Sequence, residues 1–291
     1  MNIIVVGGRG FIGRPLVEQL RPDHQVEVWD LPEVDIRRPA SFSQRLEQSR
    51  PDMVVNLAAV LGTMYSKNAY EIFETNALGN LNLVQSCAEH GVRRYVFASS
   101  LTVHGENAIG DPRTVNSPFH PKHAYSASKA AAEYCLMQYA KLHAMSIVTV
   151  RPVSILGDTY MNHAPVDFVQ TLLRDDTIKL FGTGTHEREW LWIDDCAEGF
   201  LRAVDFSAAA APGYHPVFLS GNRISMKDLA EKCISRLGGR MEFVKPTAQA
   251  FTLTCDTADS DARLGWRATT GIDAMLDRLI PIQRSKLGLE R

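Results

Sequence analysis

The 291-residue sequence is poor in cysteine, and its cysteines make no pattern. Cys87, Cys135, Cys196, Cys233 and Cys255 are scattered and odd in number. No C-x-x-C pair is present, so neither a zinc site nor a disulfide framework is expected. Scattered thiols of this kind read as buried, reduced side chains of a cytoplasmic protein. Long apolar runs are missing too. None reaches the roughly 18 residues that a membrane span needs. Neither sign of charge dominates, the net charge being −2. General attraction to nucleic acid or to an acidic membrane is therefore not expected. The opening "MNIIVVGGRGFIG" lacks the basic start and small-residue cleavage site of a secretory signal. Internal repeats and low-complexity tails are also absent. What is there is 45% hydrophobic and 22% charged, ordinary for a soluble chain that buries a real core. The length allows one large domain, or two that share a core.

The first half alternates short apolar runs with longer helical patterns. "NIIVVGG", "QVEVWD", "DMVVNLAA", "RRYVFASS" and "SIVTVRPVSILG" read as strands. Between them lie helical stretches, among them "AYEIFETNALGNLNLVQSCAEHG", with Gly91 as its C-cap, and "AYSASKAAAEYCLMQYAKLHA". Repeated strand–helix alternation predicts an α/β fold, a doubly wound parallel sheet with helices on both faces. After about Gly157 the pattern changes. A helix near "PVDFVQTLLRDD", a strand "WLWI", a helix "DDCAEGFLRAVD" and a strand "HPVFLSG" follow. Ser225 can cap the helix "MKDLAEKCISRLGG". A last helix lies near "GIDAMLDRLIPIQ".

Gly7, Gly10 and Gly13 stand directly after a strand and before a helix. In that context the first glycine permits a tight turn and the second lets the backbone approach a pyrophosphate. The third lets helix and strand pack closely. A plain strand–helix turn would need glycine only for its geometry. The acid at the end of the next strand, Asp30, argues for more, because it sits where a carboxylate grips adenosine ribose hydroxyls. A carboxylate there repels the extra phosphate of NADP, so NAD is favoured. NADP remains the alternative, since Arg9, Arg37 and Arg38 are close in sequence and can meet a phosphate.

Tyr125 and Lys129 are four residues apart in "HAYSASKAAAEY" and share one face of a helix. With 8 tyrosines in the chain, roughly a quarter of such sequences carry a Tyr-x-x-x-Lys pair by chance. The chemistry is nonetheless apt. A tyrosine hydroxyl titrates near pH 10, and a neighbouring ammonium favours its phenolate. Ser100 lies at the C-terminal end of a strand, where open parallel sheets place their ligands. Ser99 is a weaker candidate for the same role, and Thr102 a second polar contact.

The ordered set of motifs resembles the extended short-chain dehydrogenase/reductase family, the NAD-dependent epimerase/dehydratase group. The signals are "GGRGFIG", Asp30, "VDI" at Val34–Ile36, "NLAA" at Asn56–Ala59, Asn76 in "TNALGN", "ASSLTVHG", and Tyr125 with Lys129. "RPVSILG" and "REWLWIDDCAEGF" extend the match. The resemblance covers the first 200 or so residues well and the rest loosely. It implies a Rossmann-type NAD(P)-binding domain over residues 1–157, carrying the catalytic residues. A smaller substrate-binding lobe over 158–291 would send some segments back to the first domain.

By the same resemblance, Gly7, Gly10, Phe11, Ile12 and Gly13 form the cofactor's phosphate turn. Asp35 and Ile36 flank the adenine, and Leu57, Ala58 and Ala59 line the cofactor's path. Asn76 supports the active-site helix or a bound water. Pro152 and Val153 lie near the nicotinamide. Ser100, Tyr125 and Lys129 are the implied catalytic group, Lys129 also reaching the nicotinamide ribose. Ser100, Thr102, Tyr125 and Arg188 are the implied substrate contacts.

Departures from the family pattern narrow the reading. Sugar 4,6-dehydratases carry an Asp-Glu pair where this chain has Leu101 and Thr102, which counts against dehydration. His104 replaces a common tyrosine and reads as a packed strand residue. Ser154 stands where many relatives have asparagine. A second phosphate-binding arginine is not evident, "FVKPTAQAF" offering only Lys245, which counts against a diphosphate-sugar substrate. The expectation is an NAD(P)-dependent epimerase or oxidoreductase acting on a hydroxyl or keto carbon of a sugar or nucleotide-sugar. A net reductase or dehydrogenase of a keto-sugar or small polyol is the alternative, and a non-catalytic nucleotide-sensing relative a third. A homodimer is also implied. Tyr134, Leu136, Met137 and Tyr139 can supply its apolar face, or can be core.

Overall fold

The computed structural model describes residues 1–61, 68–158, 163–245 and 251–289. The β-branched runs of the first half become strands, each followed by a crossover. In order these are β1 (Asn2–Val6), α1 (Gly13–Leu20), β2 (Gln25–Trp29), α2 (Ser43–Ser49) and β3 (Met53–Asn56). Next come α3 (Ala69–Phe73), a π-helical stretch (Glu74–Gly79), α4 (Asn80–Glu89), β4 (Arg94–Ala98), α5 (Ala124–Leu142) and β5 (Ser146–Pro152). The second half contributes β6 (Ser154–Leu156), α6 (Ala164–Arg174), β7 (Thr177–Phe181), β8 (Glu187–Trp192) and α7 (Ile193–Ala209). It continues through β9 (Gly213–Leu219), β10 (Asn222–Ser225), α8 (Met226–Leu237), β11 (Arg240–Val244), α9 (Ala258–Leu264) and α10 (Ile272–Lys286).

Six strands form one parallel sheet in the order β2-β1-β3-β4-β5-β9. This is the doubly wound arrangement expected from the sequence. Alternate residues of β1 enter opposite cores, as the period of a strand requires. Ile3 and Val5 pack with Leu16 and Leu20 of α1 and Phe200 and Val204 of α7. Ile4 and Val6 pack with Leu46, Leu83, Val84 and Leu136 on the other face. Each such aliphatic side chain, fully buried, contributes roughly 1.5–3 kcal/mol. Leu136 is therefore core, which removes it from any dimer face.

The chain leaves β1 toward β2 on one side and returns to β3 on the other. That reversal opens a crevice at the C-terminal ends of β1 and β3. From β6 onward the chain builds two smaller sheets, β10-β8-β6 and β11-β7. Their core joins Trp190, Trp192, Val169, Leu229, Met275 and Leu276. The same half sends β9 back to the main sheet and lays α7 on it. Among the described residues no helix is long and apolar enough to cross a membrane.

Several elements differ from what the sequence predicts. The long helix over residues 69–89 is interrupted by the π-helical stretch. There Gly79 receives the Ile36 side chain, whose Cγ1 would lie 2.8 Å from a Cβ on residue 79. The single strand expected over 146–157 is split. Val153 N donates to Leu219 O at 3.0 Å, and β6 then pairs with β8 instead of the main sheet. β7, β11 and α9 are not apparent from periodicity, β11 being largely exposed.

Gly7 has φ +77°, and a Cβ on it would sit 2.9 Å from the backbone nitrogen of Ala58. Neither problem can be relieved by a side chain moving. Gly7→Ala is expected to lower the unfolding free energy by roughly 1–3 kcal/mol, read from urea denaturation curves.

Candidate active site

The glycine turn is closed by its own backbone. Gly7 N donates to Trp29 O at 2.8 Å, and Gly10 N to Gly7 O at 3.0 Å. α1 then starts at Gly13 with no side-chain cap on its first amides. Arg14 N donates to Gly10 O at 3.1 Å and Pro15 has no N–H, so what fits a dinucleotide diphosphate here is the positive end of the helix above closely approachable glycine backbone. Leu57 N donates to Val6 O at 2.9 Å, and Ala58 N to Asn56 Oδ1 at 3.1 Å. The turn through Ala59 thus lies against the glycine turn, across the crevice between β1 and β3. The side chains of Phe11 and Ile12 point elsewhere. Both pack toward the core under β6 and β8, and Phe11 abuts Gly157.

Asp30 follows β2 and is half-buried. Its Oδ2 accepts from Arg9 N at 2.9 Å and its Oδ1 from Leu31 N at 2.9 Å. The acid and the glycine turn therefore form one unit. Arg9 pairs with Glu33 at 2.8 Å. Arg37 grips Asp35 through Nε and Nη2 at 2.7–3.1 Å and lies 3.7 Å from Glu74. Arg38 lies 3.9 Å from Asp35. The Arg37 hydrogen bonds hold the Asp35 carboxyl below the usual carboxylate range. Ile36 is buried among Trp29, Val34 and Phe42. Asn76, also buried, clamps Val60 from both sides. Its Oδ1 accepts from Val60 N at 2.8 Å, and its Nδ2 donates to Val60 O at 3.0 Å and to Ser128 Oγ at 3.1 Å. It thereby joins the π-helical stretch to α5.

The strand end after β4 carries Ser99, Ser100 and a short helical turn, Leu101–His104. Ser100 Oγ accepts from Thr102 N at 3.2 Å and from Thr102 Oγ1 at 2.9 Å. With both acceptor positions used, its own proton is aimed at a third group. α5 opens on His123, whose Nδ1 accepts from Ser126 N while Ser126 Oγ accepts from His123 N, both at 3.2 Å. The His123 ring stacks on Tyr125 at 6.2 Å. This cap was not legible as such, histidine being an unusual capping residue.

One turn deeper, Lys129 is 1% exposed. Its Nζ donates to Ala98 O at 2.7 Å. It lies 4.7 Å from the Phe97 ring centre and 5.9 Å from that of Tyr125. Burial pushes its pKa down to about 7, with Glu133 opposing the shift. Pro152 ends β5 and Val153 follows it at the same edge of the sheet. Arg188, on β8, stacks on the Phe251 ring at 3.8 Å and donates to Phe251 O at 2.5 Å. The 251–256 segment that it holds also meets Asn107, whose N donates to Thr252 O at 3.0 Å. Burial lowers the Arg188 pKa to about 10, against the pull of Glu106.

Behind these residues lies a largely buried polar group that the sequence does not reveal as one: Glu133, Arg151, Tyr214 and His104. His104 is not a strand residue. It ends the helical turn after β4 and is 0% exposed. Arg151 Nη1 lies 2.9 Å from His104 Nε2, and an arginine can only donate. Nε2 is thus the acceptor, and Nδ1 carries the proton toward Pro118 O at 3.3 Å. The imidazole is neutral, its pKa lowered to about 4 by burial first and Arg151 second. Two sequence signals pointed here: a glutamate four residues after Lys129, and an arginine inside the apolar run of β5.

Unfolded, the His104 imidazole binds its proton near pH 6.5, but folded it does so only near pH 4. The unfolded chain therefore holds more protons between those values. The stability tied to His104 is present above pH 6.5 and lost as pH falls toward 4, by on the order of 2–3 kcal/mol. The stability gap between the wild type and His104→Gln, from urea midpoints, is expected to shrink over that range. A gap independent of pH would contradict a neutral His104.

Comparison with known proteins places this geometry in a family. The family model described as "NAD dependent epimerase/dehydratase family" matches residues 3–215. The chain is 26% identical to "Low-salt glycan biosynthesis protein Agl12" of Haloferax volcanii over 95% of this chain and 98% of that one. It is 27% identical to a "UDP-glucose 4-epimerase" of Mycolicibacterium smegmatis over 70% of this chain and 73% of that one. Among solved structures it superposes on a Thermus thermophilus "UDP-glucose 4-epimerase complex with NAD" with a TM-score of 0.81. The identity is 25%, over 98% of this chain and 99% of that one. The chain belongs to the NAD-dependent epimerase/dehydratase family.

Proposed function

We propose that this protein is an NAD-dependent epimerase-type enzyme acting on a hydroxyl or keto carbon of a sugar or nucleotide-sugar. The observation that carries the reading is the buried Lys129 amine, fixed on Ala98 O, two residues before Ser100, and 5.9 Å from the Tyr125 ring centre. Bound NAD would supply a nicotinamide carbon that takes a hydride and can return it. The Gly7–Gly13 turn and the N-terminus of α1 would hold its diphosphate, and Asp30 its adenosine ribose. Arg9, Arg37 and Arg38 each already face a carboxylate, which supports NAD over NADP.

Tyr125 is the acid–base group in this reading. Its hydroxyl exchanges a proton with the substrate oxygen as that carbon is oxidised or reduced. Lys129 favours the phenolate, and Ala98 O takes only one of its three N–H donors, leaving others for the ribose. Ser100 donates to the same substrate oxygen, its proton directed outward by Thr102. Leu101 and Thr102, in place of a carboxylate pair, support epimerisation over dehydration. Arg188, its face covered by Phe251, contacts the polar end of the substrate through its remaining N–H groups. The missing second arginine favours a smaller keto-sugar or polyol under the alternative reading, a net reductase or dehydrogenase. Residues 1–157 would carry cofactor and chemistry, and 158–291 the substrate lobe. Exposed Tyr134 on α5 and Leu78 in the π-helical stretch support a homodimer through these helices. The free cysteines, all but Cys135 buried, fit a cytoplasmic setting.

Turnover of UDP- and dTDP-hexoses, by wild type and Tyr125→Phe, tests this. The variant is expected to lose about 10²–10⁴-fold in kcat while still binding NAD. Unchanged turnover would sink the proposal. Asp30→Ala is expected to weaken NAD binding about tenfold or more, and NADP binding less, by calorimetric titration. Equal losses for both cofactors would remove Asp30 from the ribose site.

A further inference from the structure

Glu133 lies one helical turn beyond Lys129 on α5 and is 0% exposed. Its Oε1 accepts from Ser99 Oγ and from Arg151 Nε at 3.1 Å. Its Oε2 accepts from Arg151 Nε at 3.1 Å, from Arg151 Nη2 at 2.7 Å and from the Tyr214 hydroxyl. Arg151 is held in turn by His104 Nε2 at 2.9 Å and Val115 O at 2.8 Å. Its flat faces are covered by Phe119 and Phe218 at 5.2 and 5.9 Å. One carboxylate thus ties α5 to the ends of β4, β5 and β9.

An ion pair taken wholly out of water is a poor source of stability, since desolvation offsets most of its attraction. Well-packed apolar side chains would hold the same elements as firmly. What they could not do is set register and charge at the strand end. Two successive turns of α5 grip two successive residues there: Lys129 takes Ala98 O, and Glu133 takes Ser99 Oγ. The next residue is Ser100, and the turn above Lys129 carries Tyr125.

We propose that Glu133 is a positioning residue for the Ser100–Tyr125–Lys129 group, fixing the serine strand end against α5 and setting, with Arg151, the charge that Lys129 experiences. This rests on the reading of Tyr125 and Lys129 as the proton-transfer pair. The groups around Lys129 can be named. Tyr125 and Glu133 face it from α5, and the Phe97 ring and Ala98 carbonyl from β4. Arg151 of β5 and Tyr214 of β9 act on it through Glu133. His104, being neutral, adds no charge. Glu133 favours the ammonium form of Lys129, and Arg151 opposes it by neutralising Glu133.

The test is an NMR titration of the full chain carrying ¹³C-labelled lysine, with the Lys129 signal identified by its loss in Lys129→Met. Glu133→Gln is expected to move the Lys129 midpoint down by roughly one pH unit or more, about a tenfold loss of proton affinity. Arg151→Gln is expected to move it up. No shift, or shifts in the same direction, would show that the pair only holds the fold and would overturn the proposal. Should Glu133→Gln not fold, Arg151→Gln and the charge-keeping Glu133→Asp decide. The first must still raise the midpoint and the second leave it within about half a unit. The titration needs neither cofactor nor substrate. A failed Tyr125→Phe assay would therefore remove the proton-transfer reading and leave the electrostatic coupling standing, and the reverse holds as well.

Discussion

A parallel strand cannot turn straight back onto its neighbour. Each connection must cross a face of the sheet before the next strand begins. In this chain that constraint sends every strand of the main sheet in one direction and collects the segments after β1, β2, β3, β4 and β5 at one edge. The Gly7–Gly13 turn, Asp30, the Leu57–Ala59 turn, Ser100 and Val153 are neighbours for this reason alone. The reversal between β1 and β3 then opens the crevice, because the two crossovers leave on opposite sides. The approach of Gly7 to the Ala58 backbone shows how tightly that crevice is closed at its base.

The proposed chemistry depends on a second constraint, burial. Lys129 has almost no contact with water, so its ammonium is costly to keep. A carbonyl at 2.7 Å, an aromatic face and a carboxylate one turn away offset that cost. The balance leaves its pKa at about 7, where a change in neighbouring charge has the most effect on its protonation. The carboxylate is itself balanced by Arg151, and Arg151 by a neutral histidine that accepts its hydrogen bond. A polar group with every partner supplied can sit in a core without disrupting it. The arrangement joins the helix that carries Tyr125 to three strands of the sheet.

Much of this was legible in the sequence where a residue type has one physical use. Glycines between a strand and a helix, an acid at the next strand end and a Tyr-x-x-x-Lys pair in a helix each carry their reason with them. Other assignments were legible in position only. In sequence Phe11 and Ile12 belong with the phosphate turn, yet their side chains pack into the core under β6 and β8. Leu136 fits either an interface or the core by its spacing, and burial puts it in the core. His104 reads as strand, and the Ser100–Thr102 turn makes it the end of a helical turn instead. The break in the 69–89 helix, where Ile36 packs against Gly79, leaves no mark in the helical spacing.

The sequence by itself determined the parallel α/β sheet, the glycine turn with its acid, and the helix face shared by Tyr125 and Lys129. Those features rest on strand period, glycine sterics and helical spacing, all of which act over a few residues. The tertiary structure alone decided how the charges pair. Arg9 turns to Glu33, and Arg151 to Glu133 and His104. It also decided that Lys129 is dry. Pairing and burial depend on which segments the fold brings together across the chain, and no local pattern encodes that distance.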